Sequence, residues 1–123
     1  MDVRISDAEL QVMEALWAAG QPLTATDVAE RIDLDREWSL ATIKTMLSRL
    51  VAKGALKHRE DGRRFLYSPA IKREAYVGHE SRRFVDKLFG GRLSALVARL
   101  VEEDALDEDD IAAIEALLKE LKS

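Results

Sequence analysis

The stretch that decides the fold is WSLATIKTMLSRLVAKGAL, residues 38–56. Its apolar residues recur at helical spacing and fall on one side of a helix over 40–53, while short polar and charged residues fall on another side. Ser39 can cap the start of this helix, and Lys53 followed by Gly54 can close it with a cation and a left-handed turn. A helix of this kind buries one face and offers the other to a polar partner.

Capping patterns predict two helices before this stretch. Ser6 and Thr24 each stand three residues before an acid, which is the spacing of a capping box. Together with the apolar spacing that follows, these patterns place helices over 7–19 and 25–32. The segment DLDREW, residues 33–38, is predicted to be a polar loop.

A hairpin is predicted directly after the third helix. Asp61-Gly62 is a tight-turn dipeptide, and strands are predicted over about 55–59 and 64–68 on either side of it. A two-stranded hairpin is marginally stable alone, so we expect it to lean on the helices. The order helix, helix, helix, hairpin is that of a winged helix-turn-helix, whose third helix enters the major groove of DNA.

Three further helices complete a predicted fold that is mainly α with one small β-hairpin. Ser68-Pro69 is expected to start a long helix over about 70–89, because Pro is favoured at the first helical position. The segment RLSALVARLVEED, residues 92–104, predicts the next helix. Asp107 is expected to cap the last one.

The chain is predicted to divide into a DNA-binding domain over 1–70 and a helical dimerisation domain over 71–123. The last two helices carry apolar stripes that two short helices cannot hide from water alone. Packing against a second subunit is favoured over folding back on the same subunit, although the sequence leaves both arrangements open. The residues predicted to form the dimer are Leu93, Leu96, Val97, Leu100, Ile111, Ile114, Leu117, Leu118 and Leu121.

Charge is distributed unevenly along the chain. The net charge of the whole chain is −4. Residues 36–73, however, contain ten Lys or Arg and three Asp or Glu. Residues 88–123 contain four Lys or Arg and nine Asp or Glu. A DNA backbone responds to the local field, because salt screens charges beyond about 10 Å. The acidic overall charge therefore does not exclude a nucleic-acid partner.

Composition excludes several classes of function. The chain has no Cys, which excludes disulfides, Cys-ligated zinc and a Cys nucleophile. No apolar run approaches the roughly 20 residues of a membrane helix. The N-terminus does not resemble a signal peptide, so a cytoplasmic protein without membrane insertion is expected. The sequence shows no nucleophile–base pair, phosphate loop or metal-ligand spacing, and we predict no enzyme, no metal and no cofactor.

The basic region predicts a DNA interface. Short polar side chains on the third helix can contact base edges, while cations on its flanks and at the hairpin tip can reach phosphates. The base contacts are assigned to Thr42 and Thr45, and the phosphate contacts to Lys44, Arg49, Arg63 and Arg64. The alternative is a winged-helix protein–protein interaction module without sequence-specific DNA binding. The concentrated positive charge and the few aromatic residues disfavour it.

Three motifs also carry a family resemblance. ISDAELQVMEALW, EWSLATIKTMLSRLVAKGAL and GRRFLYSP resemble the BlaI/MecI/CopY family of penicillinase-type transcriptional repressors, and the similarity extends over nearly the whole chain. The resemblance implies a homodimeric repressor that binds palindromic double-stranded operator DNA. The DNA-contacting positions that it implies are Ser39, Ala41, Thr42, Lys44, Thr45, Arg49, Arg63 and Arg64.

The sequence departs from that family at three points. Many relatives have Pro and Lys where this chain has Leu40 and Ala41, so base preference or affinity is expected to differ. The CopY branch ends in a metal-sensing cysteine cluster, which this chain lacks. In β-lactam-responsive members, a membrane-bound sensor metalloprotease triggers cleavage at an Asn-Phe bond that aligns with Arg99-Leu100. The resemblance thus implies a sensor metalloprotease as a partner, without preserving its cleavage site.

Overall fold

The computed structural model describes residues 3–32 and 38–123. The elements follow the predicted order, and the fold is mainly α with a two-stranded antiparallel hairpin. Of the predicted loop over 33–38, only Trp38 lies within the described residues. The elements are α1 (Asp7–Ala19), α2 (Ala25–Arg31), α3 (Leu40–Ala52), β1 (Leu56–Asp61), β2 (Arg64–Pro69), α4 (Arg73–Phe89), α5 (Leu93–Glu102) and α6 (Glu108–Lys122).

The chain forms two compact units, Met1–Gly78 and His79–Ser123. The first unit contains α1, α2, α3, the hairpin and the start of α4. The second contains the rest of α4 with α5 and α6.

Capping boxes start α1 and α2, as predicted. Ser6 Oγ accepts a hydrogen bond from the backbone N–H of Glu9 at 3.1 Å, and Glu9 Oε1 accepts one from the backbone N–H of Ser6 at 2.9 Å. Thr24 and Asp27 form the same reciprocal pair, with both bonds at 3.1 Å. These bonds satisfy N–H groups that have no partner inside the first helical turn.

The core of the first unit lies between α1, α2 and α3. The apolar side of α3 is buried there, as predicted, and Trp38 is half-buried against the same core. The largest fully buried side chains are Met13, Leu16, Ile43, Leu47, Leu50, Val12 and Val28. Since one side of α3 is fixed in this core, its opposite side faces outward.

The hairpin turns one residue later than the expected dipeptide. Asp61 pairs with Arg64 across the strands, so the loop consists of Gly62 and Arg63. Gly62 has a φ of +68°, a left-handed conformation that a II′ hairpin turn requires at its first loop position.

The hairpin leans on the helices, as expected. Leu23, between α1 and α2, exchanges two backbone hydrogen bonds with Tyr67, at 2.9 and 2.8 Å. The side chains of Leu23, Leu56 and Tyr67 are buried in the core. The hairpin, called the wing below, is thereby held in a fixed position beside the helices.

The prediction that Ser68-Pro69 starts a helix is wrong. Pro69 is the last residue of β2, where it stands opposite Leu56, and α4 begins only at Arg73. The intervening chain is held by long-range hydrogen bonds. The N–H of Ala70 donates to the carbonyl of Ala55 at 2.9 Å, and Trp17 Nε1 donates to the carbonyl of Ile71 at 3.0 Å. These contacts outweigh the local preference for a helix start.

The second unit follows the predicted pattern of helices. α4 ends at Phe89 and is followed by Gly90 and Gly91, both with positive φ. Asp107 caps α6, and its carboxylate accepts a hydrogen bond from the backbone N–H of Asp110 at 2.8 Å. None of the helices in the described parts of the chain is long and apolar enough to cross a membrane.

Candidate nucleic-acid interface

The outward side of α3 is open to solvent. At about 100° per residue, its outermost positions are the small residues Ala41, Thr45, Ser48 and Ala52. Small side chains let a helix backbone approach a surface closely, which suits insertion into a groove. All the helix residues predicted to contact DNA are exposed, namely Ser39, Ala41, Thr42, Lys44, Thr45 and Arg49.

Local hydrogen bonds orient the hydroxyl groups on this side. Ser39 Oγ accepts from the backbone N–H of Thr42 at 3.1 Å and lies 3.0 Å from Thr42 Oγ1. Thr45 Oγ1 donates to the carbonyl of Ala41 at 3.0 Å. Because this bond uses the only hydroxyl proton of Thr45, the side chain offers outward its oxygen lone pairs and its methyl group. These groups match an amino group of adenine or cytosine, or the methyl of thymine.

A groove of about 620 Å³ separates α3 and the start of α2 from the wing. It brings Lys44 of α3 together with Arg63 and Arg64 of the wing, as the DNA prediction requires. The remaining lining residues are Thr24, Ala25, Thr26, Asp27, Ser48, Phe65 and Tyr67. Ser39, Ala41, Thr42, Thr45 and Arg49 do not line this groove.

The four cations of the interface differ in their availability. Within residues 3–32 and 38–123, Lys44, Arg49 and Arg63 have no ion-pair partner. Arg64 is held by Asp61, with Nη2 at 3.1 Å and Nε at 3.3 Å from the same carboxylate oxygen. Three cations can thus bind an anion directly, whereas Arg64 must first leave its partner.

Asp27 is a groove residue whose position the sequence did not reveal. The sequence identified it only as part of a capping box, because its place opposite the wing depends on contacts between distant segments. Its pKa is lowered, first by the hydrogen bond from the backbone N–H of Thr24 and to a smaller extent by the nearby charge of Arg64. A fixed negative charge therefore lies among the cations of the groove.

An ion pair fixes the end of α3. Lys53 Nζ lies 2.5 Å from Glu9 Oε1, and the Glu9 residue is only 3% exposed. The sequence assigned Glu9 to the cap of α1 and Lys53 to the end of α3, without linking the two. The pair connects the N-terminus of α1 to the C-terminus of α3 and thereby helps to orient the outward side of α3.

The apolar residues predicted to form a dimer are accessible in the second unit. Phe84 and Leu88 of α4 are exposed too, and they were not among the residues predicted to form the dimer. Their spacing of four residues was the available signal. Phe84 lines an apolar cleft of about 540 Å³ with Leu93 and Leu96. Of the predicted set, Leu93, Ile111, Leu117, Leu118 and Leu121 are exposed, and Leu96, Val97, Leu100 and Ile114 are half-buried.

The described residues contain no group of three or more His, Asp or Glu side chains that could hold a metal ion. The outward side of α3 carries hydroxyls, small apolar groups and cations, and the groove beside the wing adds the aromatic rings of Phe65 and Tyr67 and the carboxylate of Asp27.

Comparison with known proteins gives one consistent family. The family profile described as penicillinase repressor matches residues 5–120. The penicillinase repressor of Bacillus licheniformis is 36% identical over 120 residues, which cover 98% of this chain and 93% of that protein. The methicillin resistance regulatory protein MecI of Mammaliicoccus sciuri is 31% identical over 114 residues, covering 93% of this chain and 92% of that protein.

A solved structure supports the fold. The DNA binding domain of the repressor BlaI matches with a TM-score of 0.53 and 42% sequence identity, over 60% of this chain and 89% of that one. This match supports the winged-helix fold class that the order of the elements predicts.

Proposed function

This chain belongs to the penicillinase repressor family. We propose that it is a DNA-binding transcriptional repressor that binds operator DNA with α3 and the wing. The family confirms the predicted resemblance, and it confirms the prediction that the protein is not an enzyme, since the curated relatives are repressors. Repression requires access to the chromosome, so we place the protein in the cytoplasm.

The groove between α3 and the wing is the observation that carries the proposal. Lys44 and Arg63, which have no ion-pair partner in the described part of the chain, face it from α3 and from the wing. A DNA backbone lying along the groove would meet both cations while the small outermost residues of α3 approach the bases. Phosphate contacts position the protein, and base contacts supply the specificity. The assignment of the individual residues is part of the proposal.

We further propose a homodimer that binds a palindromic operator. The exposed apolar residues of α5 and α6 support it, because a C₂ partner would remove them from water. Two recognition helices related by a two-fold axis read inverted half-sites about 34 Å apart or at a multiple of this distance. The predicted DNA-binding domain over 1–70 and dimerisation domain over 71–123 belong to this proposal.

The test is binding to DNA fragments from the neighbourhood of the gene. Purified protein is titrated at moderate salt against three DNAs, namely a fragment with an inverted repeat, the same fragment with one half-site scrambled, and random DNA. We expect the intact repeat to bind at least about a thousandfold more tightly than random DNA, the lower end for specific sites. Equal affinity for all three DNAs would overturn the proposal and favour a protein–protein interaction module.

The sensor metalloprotease implied by the resemblance stays a prediction. At the position that aligns with the cleaved bond, Arg99 lies on α5 and forms ion pairs with Glu102 and Glu103, at 3.3 and 2.8 Å. A protease that requires Asn-Phe would not cut Arg99-Leu100. Co-expression with a metalloprotease encoded beside the gene, followed by mass analysis of the repressor, would detect any cut.

A further inference from the structure

The groove between α3 and the wing, called the wing groove below, has negative charge in its lining and beside it, and this charge opposes its proposed partner. Asp27 of α2 lines the groove, and Asp61 of the wing lies beside it, paired with the lining residue Arg64. A phosphate backbone entering the groove would be repelled by both carboxylates. Their placement therefore bears on how tightly the groove binds DNA.

Asp61 competes directly for Arg64. The two donors Nε and Nη2 of Arg64 both point at Asp61 Oδ2, at 3.3 and 3.1 Å. Both side chains are substantially exposed, at 65% and 44%, so the pair can open without a large rearrangement. An exposed pair of this kind is worth little, about a factor of two to five in an equilibrium constant.

A hydrogen bond holds the Asp27 carboxylate at the groove. Its Oδ2 accepts the hydrogen bond from the backbone N–H of Thr24, which caps α2. Turning the carboxylate away from DNA would break this capping bond, which favours its present position. The same contact makes it easy to remove the charge alone, because Asn can retain the accepting oxygen.

We infer that Asp27 and Asp61 weaken DNA binding by the wing groove, and that Arg64 exchanges Asp61 for a phosphate when DNA binds. This inference rests on the proposed repressor function. The two acids reduce affinity for operator and random DNA by the same factor, since neither reads a base. They act on the phosphate attraction that supplies nearly all non-specific binding.

The test compares charge-neutral variants of the full chain. Asp61→Asn and Asp27→Asn are each expected to bind both operator and random DNA about two- to fivefold more tightly at low salt. The matched control is Glu30→Gln, which removes one negative charge from an exposed position of α2 outside the groove. Thermal unfolding shows whether each variant is folded. If Asp61→Asn does not fold, Asp27→Asn alone tests the inference.

A double-mutant cycle tests the exchange of partners. Arg64→Ala should weaken DNA binding more in the Asp61→Asn background than in the wild type, and the two effects should differ by about two- to fivefold. The reason is that Arg64 must first break its ion pair with Asp61 in the wild type, whereas no such pair exists in Asp61→Asn. An equal effect of Arg64→Ala in both backgrounds would contradict the exchange. Variants no tighter than Glu30→Gln would contradict the whole inference, whereas a wild type without operator preference would contradict the repressor function itself.

Discussion

A single residue of α1, Glu9, helps to hold the C-terminal end of α3 and thereby its outward side. Glu9 accepts hydrogen bonds from the backbone of Ser6 and from the ammonium of Lys53. Its carboxylate is thus shared between the cap of α1 and the end of α3. A buried carboxylate with these partners should contribute to stability, and removing its charge should leave Lys53 without compensation.

Glu9→Gln is expected to lower the free energy of unfolding by about 1–2 kcal/mol at neutral pH, a value kept small because Lys53 is partly exposed. Urea unfolding followed by circular dichroism measures it. The matched control is Glu14→Gln, which breaks an exposed pair with Arg73 and should cost less. Equal losses in the two variants would show that the burial of Glu9 is irrelevant.

The same carboxylate predicts a pH dependence. Burial raises the pKa of Glu9, but the hydrogen bonds from Lys53 and Ser6 outweigh it and leave the pKa below its ordinary value. A carboxyl with a lowered pKa stabilises the fold above its unfolded-state pKa, and this contribution disappears as the pH falls through the folded-state pKa. The free energy of unfolding should therefore fall more between about pH 7 and about pH 3 in the wild-type protein than in Glu9→Gln. Parallel pH profiles would contradict this.

DNA contacts of different kinds should respond differently to substitution. Arg63→Ala should weaken binding to every sequence and reduce the slope of log affinity against log salt by about one, because one phosphate contact is lost. Thr45→Ala should instead change the ranking among operator variants. Fluorescence anisotropy over a salt series measures both, with Arg82→Ala on α4 as the charge-matched control. The reverse pattern would assign the base contact to Arg63 and the phosphate contact to Thr45.

At the scale of elements, turns with left-handed residues end two helices in the same way. After α3, Gly54 has a φ of +84°; after α5, Asp104 has a φ of +55°. In each turn this residue and the next donate hydrogen bonds back to carbonyls of the last helical turn, the pattern of a Schellman motif. Glycine adopts this conformation without strain, whereas aspartate does not.

Opposite substitutions at these two turns should therefore have opposite effects. Gly54→Ala is expected to destabilise the protein by about 1 kcal/mol, and Asp104→Gly to stabilise it by up to about 1 kcal/mol. No atom would obstruct the added Cβ at Gly54, so the effect there reports backbone strain alone. Thermal unfolding midpoints should move down and up respectively. A shift of the same sign in both variants would contradict the role of the turns.

Elements were predictable from sequence where the signals are local. Capping boxes at Ser6 and Thr24 and the glycine after α3 each depend on residues within one turn, so the helix bounds followed from them. The start of α4 was not predictable, since the carbonyl of Ile71 is held by Trp17, 54 residues away. For the same reason the sequence identified the cations of the interface but not Asp27, which reaches the groove only through the packing of α2 beside the wing.

At the scale of the whole molecule, the exposed leucines of α6 predict association. Leu118→Glu should convert the proposed dimer to a monomer, because a charge would be buried in an apolar contact. Glu115→Ala on the same helix is the control and should leave the dimer intact. Sedimentation velocity over a range of concentrations gives the masses. If Leu118→Glu and the wild type sediment alike, α6 is not the dimer contact. A monomeric variant should also lose its preference for a two-half-site operator.

The absence of native Cys allows the placement of α3 on DNA to be measured at a single position. Ser48→Cys, on the outermost side of α3, is coupled to an iron chelate that cleaves nearby DNA, and Ala18→Cys on an exposed part of α1 serves as the control. We expect Ser48→Cys to cut at one position within each operator half-site, facing the major groove, and the control to give no cut there. Identical cleavage patterns from both positions, or none from Ser48→Cys on bound operator, would show that α3 does not enter the DNA.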